Sequence, residues 1–256
     1  MTDSAPILGR LLLLSSTTAA AAPYLRAARK LNVVTVLGIN ALATGEIAAA
    51  ADRTLFASDA LAEFLPLELD TRDSALAIAQ FALQKPLVAI FAADERSAPS
   101  AARAASIIGL SGHAPQACDA CLDAFGALQR LGNAGLPVPP LAGASLPAAD
   151  VIALLAGRKM RVLGVRAGAR ETTLPRPALE DLFRAARLLL FRDGPLYARI
   201  KLSAPHQILA ISPAIPTAFV EALRFRIPLV AEDLSLAEVL LRHALRLDVR
   251  RAHRQR

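Results

Sequence analysis

The sequence predicts an α/β protein whose first half is built on a parallel β-sheet. Apolar runs of strand length alternate with helical segments from the start of the chain, as they do where helices cover both faces of a parallel sheet. The clearest runs are residues 7–14, 33–39 and 86–92. Because 54% of the 256 residues are apolar, the chain can bury the core of one large domain or two small ones.

The other elements of the first half follow from this alternation. Ser15-Ser-Thr-Thr18 is a polar turn whose hydroxyl groups can cap the next helix. The remaining predicted elements are helices at 19–30, 74–84 and 101–110, a loop with a short helix at 40–50, and short strands at 54–56 and 65–69.

The sequence of the second half predicts a mixed α+β arrangement. A helix begins after the loop 111–115 and ends near Gly132 or Gly135, and the prolines of residues 136–140 then impose an extended exit. Alternation predicts strands at 160–165, 196–202 and 207–211, the last two joined by a turn, and helices are predicted at 148–155, 177–189, 216–223 and 235–247.

The formal net charge of +7 is concentrated at the end of the chain, where residues 242–256 hold six arginines and one acid. A basic helix can bind nucleic acid or an acidic membrane surface. No aromatic residue is interleaved there to stack on bases. Packed leucines flanked by solvated arginines explain the segment better, so neither a nucleic acid nor a membrane partner is predicted.

The cysteines and the N-terminal residues argue against a zinc-binding protein and a secreted protein. Cys118 and Cys121 lack the two additional ligands that a zinc site needs, so they are predicted to be small buried residues, and no metal site is expected. Residues 10–14 superficially mimic a signal peptide, but the apolar run is shorter than the usual h-region. A first strand explains it better, and a cytoplasmic protein is predicted.

The stretch 94–140 has an order of motifs that is more specific than any of its parts. Asp94-Glu95 ends a strand, and an alanine-rich helix leads into Gly109-Leu-Ser-Gly-His-Ala-Pro115. Ala134-Gly-Leu-Pro-Val-Pro139 then follows. This order resembles the carboxylate–amine ligases of the ATP-grasp superfamily. Residues 157–165, 193–202 and 208–214 resemble later strands of the same proteins, so the resemblance touches nearly the whole chain.

The resemblance implies two domains. Residues 1–137 are expected to form a Rossmann-like preATP-grasp domain with a parallel sheet. Residues 138–256 are expected to form a reduced ATP-grasp-like α+β domain that ends in a basic helix. Between Pro140 and Arg161 only about twenty residues remain, too few for the family's nucleotide-binding lobe, because each βαβ unit alone needs about 30.

The resemblance also implies where Mg²⁺ and the nucleotide phosphates would be held, and the chain departs from the family at each position. Magnesium needs hard oxygen ligands. Two carboxylates and an asparagine are replaced by Arg199, Ala210 and Ser212. The family's phosphate-contacting arginine and lysine correspond to Ala214 and Ala124. No catalytic residue and no cofactor are therefore expected.

A second candidate site lies at the carboxyl ends of the predicted parallel strands, where ligands of such sheets bind. Helix capping is the favoured role for its hydroxyl groups, and an anion or metabolite site is the alternative. This predicted rim consists of Ser15, Ser16, Thr17, Thr18, Asn40, Asp94, Glu95, Arg96 and Ser97.

These observations predict a protein with the ATP-grasp fold that has lost ATP and Mg²⁺ binding. It would serve as a homo-oligomer or as a non-catalytic partner of a biosynthetic enzyme, through an apolar sheet face left exposed at 196–211. Two alternatives stay open. One is a sensor that uses the rim. The other is an active ATP-dependent ligase with ATP and Mg²⁺, whose displaced site would draw on Glu171, Glu180, Asp181 and Asp193.

Overall fold

The computed structural model describes residues 9–40, 61–69, 71–139, 147–222 and 234–247, and in this part the chain forms two β-sheets. The first sheet is fully parallel and contains four strands in the order β3-β2-β1-β4. Its strands are β1 (Arg10–Ser15), β2 (Thr35–Asn40), β3 (Leu61–Leu67) and β4 (Leu87–Ala92). The helices that accompany it are α1 (Thr18–Lys30), α2 (Asp73–Gln84) and α3 (Ala98–Ile108).

Strand β1 is apolar on both sides because each side faces a separate core. Leu11 and Leu13 pack with Tyr24 of α1, whereas Leu12 and Leu14 pack with Ile78 of α2. All four leucines are fully buried. A strand buried on both faces shows a continuous apolar run instead of alternation, so the predicted α/β class with an N-terminal parallel sheet is confirmed.

The second sheet is antiparallel and contains five strands in the order β7-β6-β5-β8-β9. Its strands are β5 (Ala148–Ala156), β6 (Lys159–Ala167), β7 (Arg170–Glu171), β8 (Asp193–Lys201) and β9 (Gln207–Ser212). One face packs against α4 (Pro115–Leu122), α5 (Ala124–Asn133) and α6 (Arg176–Leu188).

The chain returns to the first sheet at its end. After α7 (Thr217–Ala222), helix α8 (Leu236–Ala244) packs Leu236, Leu240 and Leu241 with Tyr24 and Phe91 in one core. A capping box starts α8, because the Ser235 hydroxyl accepts from the Glu238 backbone N–H while the Glu238 carboxylate accepts from the Ser235 backbone N–H. The last described helix therefore covers a face of the first half.

Two secondary-structure predictions are wrong. Residues 148–155 form the central strand β5 and not a helix, because a strand buried on both faces has no alternation to distinguish it from a buried helix. The single helix predicted after the loop 111–115 is two helices, separated at Asp123, whose carboxylate accepts from the Gly126 backbone N–H and caps α5. The strand at 54–56 and the helix in 40–50 lie outside the described residues.

No helix in the described ranges is long and apolar enough to cross a membrane. The segment 248–256, which carries most of the terminal positive charge, lies outside those ranges.

Candidate functional site

Asp94 lies at the centre of the predicted rim, and its carboxylate is occupied by the protein itself. One oxygen accepts from the Ser16 backbone N–H at 2.7 Å and from the Ser15 hydroxyl at 3.0 Å. The other accepts from the Ser97 backbone N–H at 2.9 Å. Asp94 therefore joins the loop after β1 to the loop after β4.

The neighbouring hydroxyl groups are also engaged. The Thr17 hydroxyl accepts from the Ala20 backbone N–H at 3.2 Å and caps α1, and the buried Ser97 hydroxyl donates to the Leu14 carbonyl at 3.1 Å. Thr18 is the first residue of α1, Asn40 is the last of β2, and the Arg96 side chain is exposed. A ligand at this rim stays a prediction.

The second sheet brings Arg199 and Ala210, two of the positions that the resemblance compares with metal ligands, together on one face. The strand register aligns one residue from each of its five strands in a single transverse row. Directly opposed residues of antiparallel strands point to the same side of a sheet. The row runs from edge to edge as Glu171, Arg166, Asp150, Arg199 and Ala210.

The charges in this row alternate in sign, and Arg199 acts as a counter-charge to Asp150. The Nε atom of Arg199 lies 3.7 Å from Oδ1 of Asp150, and the Tyr197 hydroxyl donates to the same oxygen at 2.7 Å. Burial, and after it the bond to Asp150, raises the pKa of Tyr197 and keeps the phenol protonated. Arg199 thus balances the carboxylate of Asp150.

Ser212 lies in the adjacent row, opposite Tyr197 on β8. It faces the first half of the protein, because its hydroxyl lies close enough to the carboxylate of Glu95, in the loop after β4, to lower the pKa of that carboxyl group. Burial raises the pKa of Glu95 above its ordinary value; the bond from Ser212 opposes that rise, and the charge of Asp94 adds to it. The position that resembles a metal-binding asparagine therefore holds a contact between the halves.

Ala214 and Ala124 offer no side chain that can reach a phosphate. Ala214 is buried just after β9, and its backbone N–H donates to the Ser212 hydroxyl at 3.3 Å. Ala124 is the first residue of α5, directly after the capping Asp123.

The donor set on this face does not fit magnesium and a nucleotide triphosphate. Within the described ranges no group of three or more Asp, Glu, His or Cys side chains could hold a metal ion. Asp150 already accepts from Tyr197 and pairs with Arg199, and a cation at that place repels a divalent ion. The four acids of the displaced-ligase alternative are dispersed over β7, α6 and β8, where Glu180 pairs with Arg176 and Asp193 with His243.

The prediction of an exposed apolar face on the strands at 196–211 is wrong. The exposed part of that face carries Asp150 and Arg199, and its apolar part packs against the first half through Ile152, Leu154 and Tyr197. Among the exposed apolar side chains of the described residues, three lie together on the outer helices α2 and α3. Leu76 is 55% exposed, Leu83 87% and Ile107 53%, and they line one shallow groove.

A second contact between the two halves is made by His113 of the 109–115 motif, for which the sequence predicted no partner. The His113 Nε2–H donates to the Pro195 carbonyl at 2.8 Å, while its Nδ1 accepts from the Arg192 backbone N–H at 3.3 Å. Burial lowers the pKa of His113 to about 4, so the ring is neutral. The partners are about 80 positions away, and no periodicity in the sequence could have indicated them.

Asp193, the first residue of β8, is held by the end of α8. Its Oδ1 accepts from His243 Nε2 at 3.1 Å, and its Oδ2 pairs with Arg246. Burial acts to raise the pKa of Asp193, but the bond from His243 and the charge of Arg246 outweigh it and hold the pKa below its ordinary value.

The two cysteines lie on α4 as free, buried thiols, as predicted. Burial raises the pKa of both, that of Cys121 to about 12, so neither is a thiolate at neutral pH.

No protein-family model matches the sequence, and no curated protein is similar to it. Solved structures do match. An L-amino acid ligase from Bacillus licheniformis superposes with a TM-score of 0.67 at 13% identity, over 93% of this chain and 74% of the ligase. A phosphoribosylglycinamide synthetase from Anaerococcus prevotii gives a TM-score of 0.70 at 10% identity, over 96% of this chain and 77% of the synthetase. The chain has the ATP-grasp fold.

A third ATP-grasp structure, an N5-carboxyaminoimidazole synthetase from Staphylococcus aureus, gives a TM-score of 0.63 at 10% identity, over 95% of this chain and 79% of the synthetase. At these identities the likeness establishes the fold alone. The ATP-grasp resemblance inferred from the motif order is thereby confirmed at the level of fold, for nearly the whole chain.

Proposed function

We propose that this chain is a non-catalytic protein with the ATP-grasp fold, in which the metal and nucleotide face has become part of the contact between the two halves. The observation that carries the proposal is the transverse row of the second sheet. Its central carboxylate, Asp150, is matched by Arg199, and the adjacent Ser212 lies beside the carboxylate of Glu95. A carboxylate that is already balanced by a neighbouring cation is not available to a metal ion.

The connection between α5 and β5 supports the proposal. Helix α5 ends at Asn133 and β5 begins at Ala148. An ATP-grasp nucleotide lobe, which the resemblance places in this interval, needs at least one βαβ unit of about 30 residues. Phosphoryl transfer depends on positioned cations and hydrogen-bond donors around the phosphates. A chain without that lobe and without the metal ligands has no means to form an acyl phosphate.

A structural role requires a surface for a second chain, and the α2/α3 groove is the surface that we propose. Its lining is apolar or uncharged, with Leu76, Leu83 and Ile107 most exposed. A second copy of this chain is the proposed occupant, because two uncharged, identical patches meet without charge repulsion, as an isologous dimer requires. A heterologous enzyme at the same groove is the other outcome of the test.

The catalytic part of the proposal is tested by phosphate release. Purified protein is incubated with Mg–ATP and a mixture of amino acids, and inorganic phosphate is measured against a blank without protein. We expect no release above the blank. Release that depends on both the protein and the amino acids would establish the alternative, an active carboxylate–amine ligase.

The structural part is tested by sedimentation velocity over a range of concentrations. We expect the parent chain to dimerise and the Leu83→Glu variant to stay monomeric. Leu188→Glu is the matched control, because Leu188 is also an exposed leucine (46%) but lies on α6, away from the groove. A parent chain that stays monomeric at high concentration contradicts the homodimer.

A further inference from the structure

A small cavity lies where the two sheets and the last helix meet, and nothing in the proposed function uses it. Its volume is about 70 Å³, and its walls come from β4, α3, α4, the start of β8 and the end of α8. Phe91, Ala98, Ala102, Ala105 and Cys118 form an apolar interior. An apolar interior with a few convergent polar groups is the usual form of a small-molecule site.

The polar end of the cavity is formed by Asp193, His243 and Arg246. The ionised carboxylate of Asp193 accepts from His243 Nε2 at 3.1 Å. Nε2 of His243 is engaged in this contact, whereas no described residue hydrogen-bonds to its Nδ1. Arg246 gives one N–H group to Asp193 and keeps other donors, and its side chain is 54% exposed, so this end is the mouth.

The other histidine of the cavity offers nothing to a ligand. Both ring nitrogens of His113 are engaged by the backbone at Pro195 and Arg192. A ligand at the mouth therefore meets one uncommitted ring nitrogen, His243 Nδ1, and the remaining donors of the Arg246 guanidinium.

We propose that this cavity binds a 2-hydroxycarboxylate of two or three carbons. Its hydroxyl group hydrogen-bonds with His243 Nδ1, its carboxylate accepts from Arg246, and its carbon end enters the alanine-lined interior. The cavity has about half the volume of an engineered cavity of about 150 Å³ that takes benzene, so only a short carbon chain fits inside while the carboxylate stays at the mouth.

Such a ligand is held without being transformed, because the cavity contains no activated nucleophile. Burial keeps the Cys118 thiol protonated by raising its pKa. The ligand would instead connect the end of α8, which packs on the first sheet, to the start of β8 in the second sheet. Binding would therefore stabilise the contact between the halves.

The test is a titration of the ¹⁵N-labelled full chain with L-lactate or glycolate, followed by amide NMR. We expect saturable shifts at Gly112, Gly194 and Ala244, which line the cavity. Propionate lacks the hydroxyl group and lactamide lacks the charge. Lactamide should bind about tenfold or more weakly, because a hydrogen bond to a charged group contributes more than a neutral one.

Two variants make the result specific. Ala102→Leu fills the interior and should abolish the shifts while the rest of the spectrum stays that of a folded protein. Arg246→Gln removes the cation, so its affinity for L-lactate should fall to the affinity of the parent chain for lactamide. Absence of saturable shifts with both hydroxycarboxylates would overturn the site, and equal binding of propionate or lactamide would overturn the ligand class. Neither result depends on whether the chain turns over ATP or dimerises.

Discussion

His113 joins the two halves of the protein only when its ring is neutral, and this makes a pH-dependent contribution to stability. The neutral ring donates to the Pro195 carbonyl and accepts from the Arg192 N–H, and its edge meets the ring of Phe191 with centroids 5.0 Å apart. Protonation places a hydrogen on Nδ1, which then opposes the Arg192 N–H. The folded state resists protonation for this reason and because the ring is buried.

The size of the effect follows from the pKa. Burial lowers the pKa of His113 from 6.5 to about 4, whereas in the unfolded chain it keeps its ordinary value. Each pKa unit corresponds to about 1.4 kcal/mol, so this histidine contributes at most about 3.5 kcal/mol. Because the unfolded state binds more protons between these two values, the contribution is complete above pH 6.5 and is lost as the pH falls towards 4.

The perturbation is His113→Phe, which keeps a ring against Phe191 but removes both hydrogen bonds. At pH 7 we expect a loss of about 1–3 kcal/mol of unfolding free energy, at about 0.5–1.5 kcal/mol per bond. His206→Phe is the matched control at pH 7, because Nδ1 of His206 is buried without a partner and its removal should cost little.

The assay is urea unfolding of the parent and His113→Phe at several pH values between 7 and 4.5. Other titrating groups act equally on both proteins and cancel in the difference. We expect the stability difference to shrink as the pH falls, because only the parent loses the contribution of His113. If the difference in unfolding free energy between the two proteins stays constant from pH 7 to pH 4.5, the pKa of His113 is not lowered and the contact between the halves does not require a neutral ring.

Three further substitutions test other parts of the structure. Arg199→Glu places a second carboxylate beside Asp150 and should lower the unfolding free energy by about 1 kcal/mol, less at high salt, whereas Arg199→Lys should keep most of the stability. If Arg199→Glu unfolds like the parent at low salt, Arg199 is not the counter-charge of Asp150. Gly194→Ala should destabilise the chain, because Gly194 has φ = +136° and an added Cβ atom would lie 3.0 Å from His113 Nε2. Unchanged urea unfolding would show that the ring of His113 can move away. Leu240→Ala removes a fully buried side chain of α8 and should lower the unfolding free energy by about 2–5 kcal/mol. A loss below about 1 kcal/mol would mean that α8 does not share a core with Tyr24 and Phe91.

The sequence predicted most of the parallel sheet because β1, β2 and β4 are apolar runs separated by helical segments. The same feature misled the assignment of 148–155. Within β5, all residues from Val151 to Leu155 are buried, as they would be in a core helix. Only the pairing of this segment with β6 and β8 identifies it as a strand. Pairing between distant segments is a tertiary property, which local periodicity does not record.

The candidate site could be predicted only in part for the same reason. Alignment with family motifs placed Arg199, Ala210 and Ser212 at equivalent positions, and the structure places them on one face. The partner Asp150 belongs to a segment that was predicted to be helical, so the counter-charge of Arg199 could not be recognised. The junctions at His113 and at Asp193 each join positions that are 50 or more residues apart.

Calorimetric titration of the purified chain with Mg–ATP, and with ADP in parallel, tests the proposed loss of the nucleotide site most directly. Circular dichroism of the same sample serves as the control for folding. The charge-balanced face of the second sheet predicts no binding heat for either nucleotide in a folded sample. Saturable binding at micromolar affinity that requires Mg²⁺ would contradict the proposal, and it would mean that carboxylates other than those of the transverse row hold the metal.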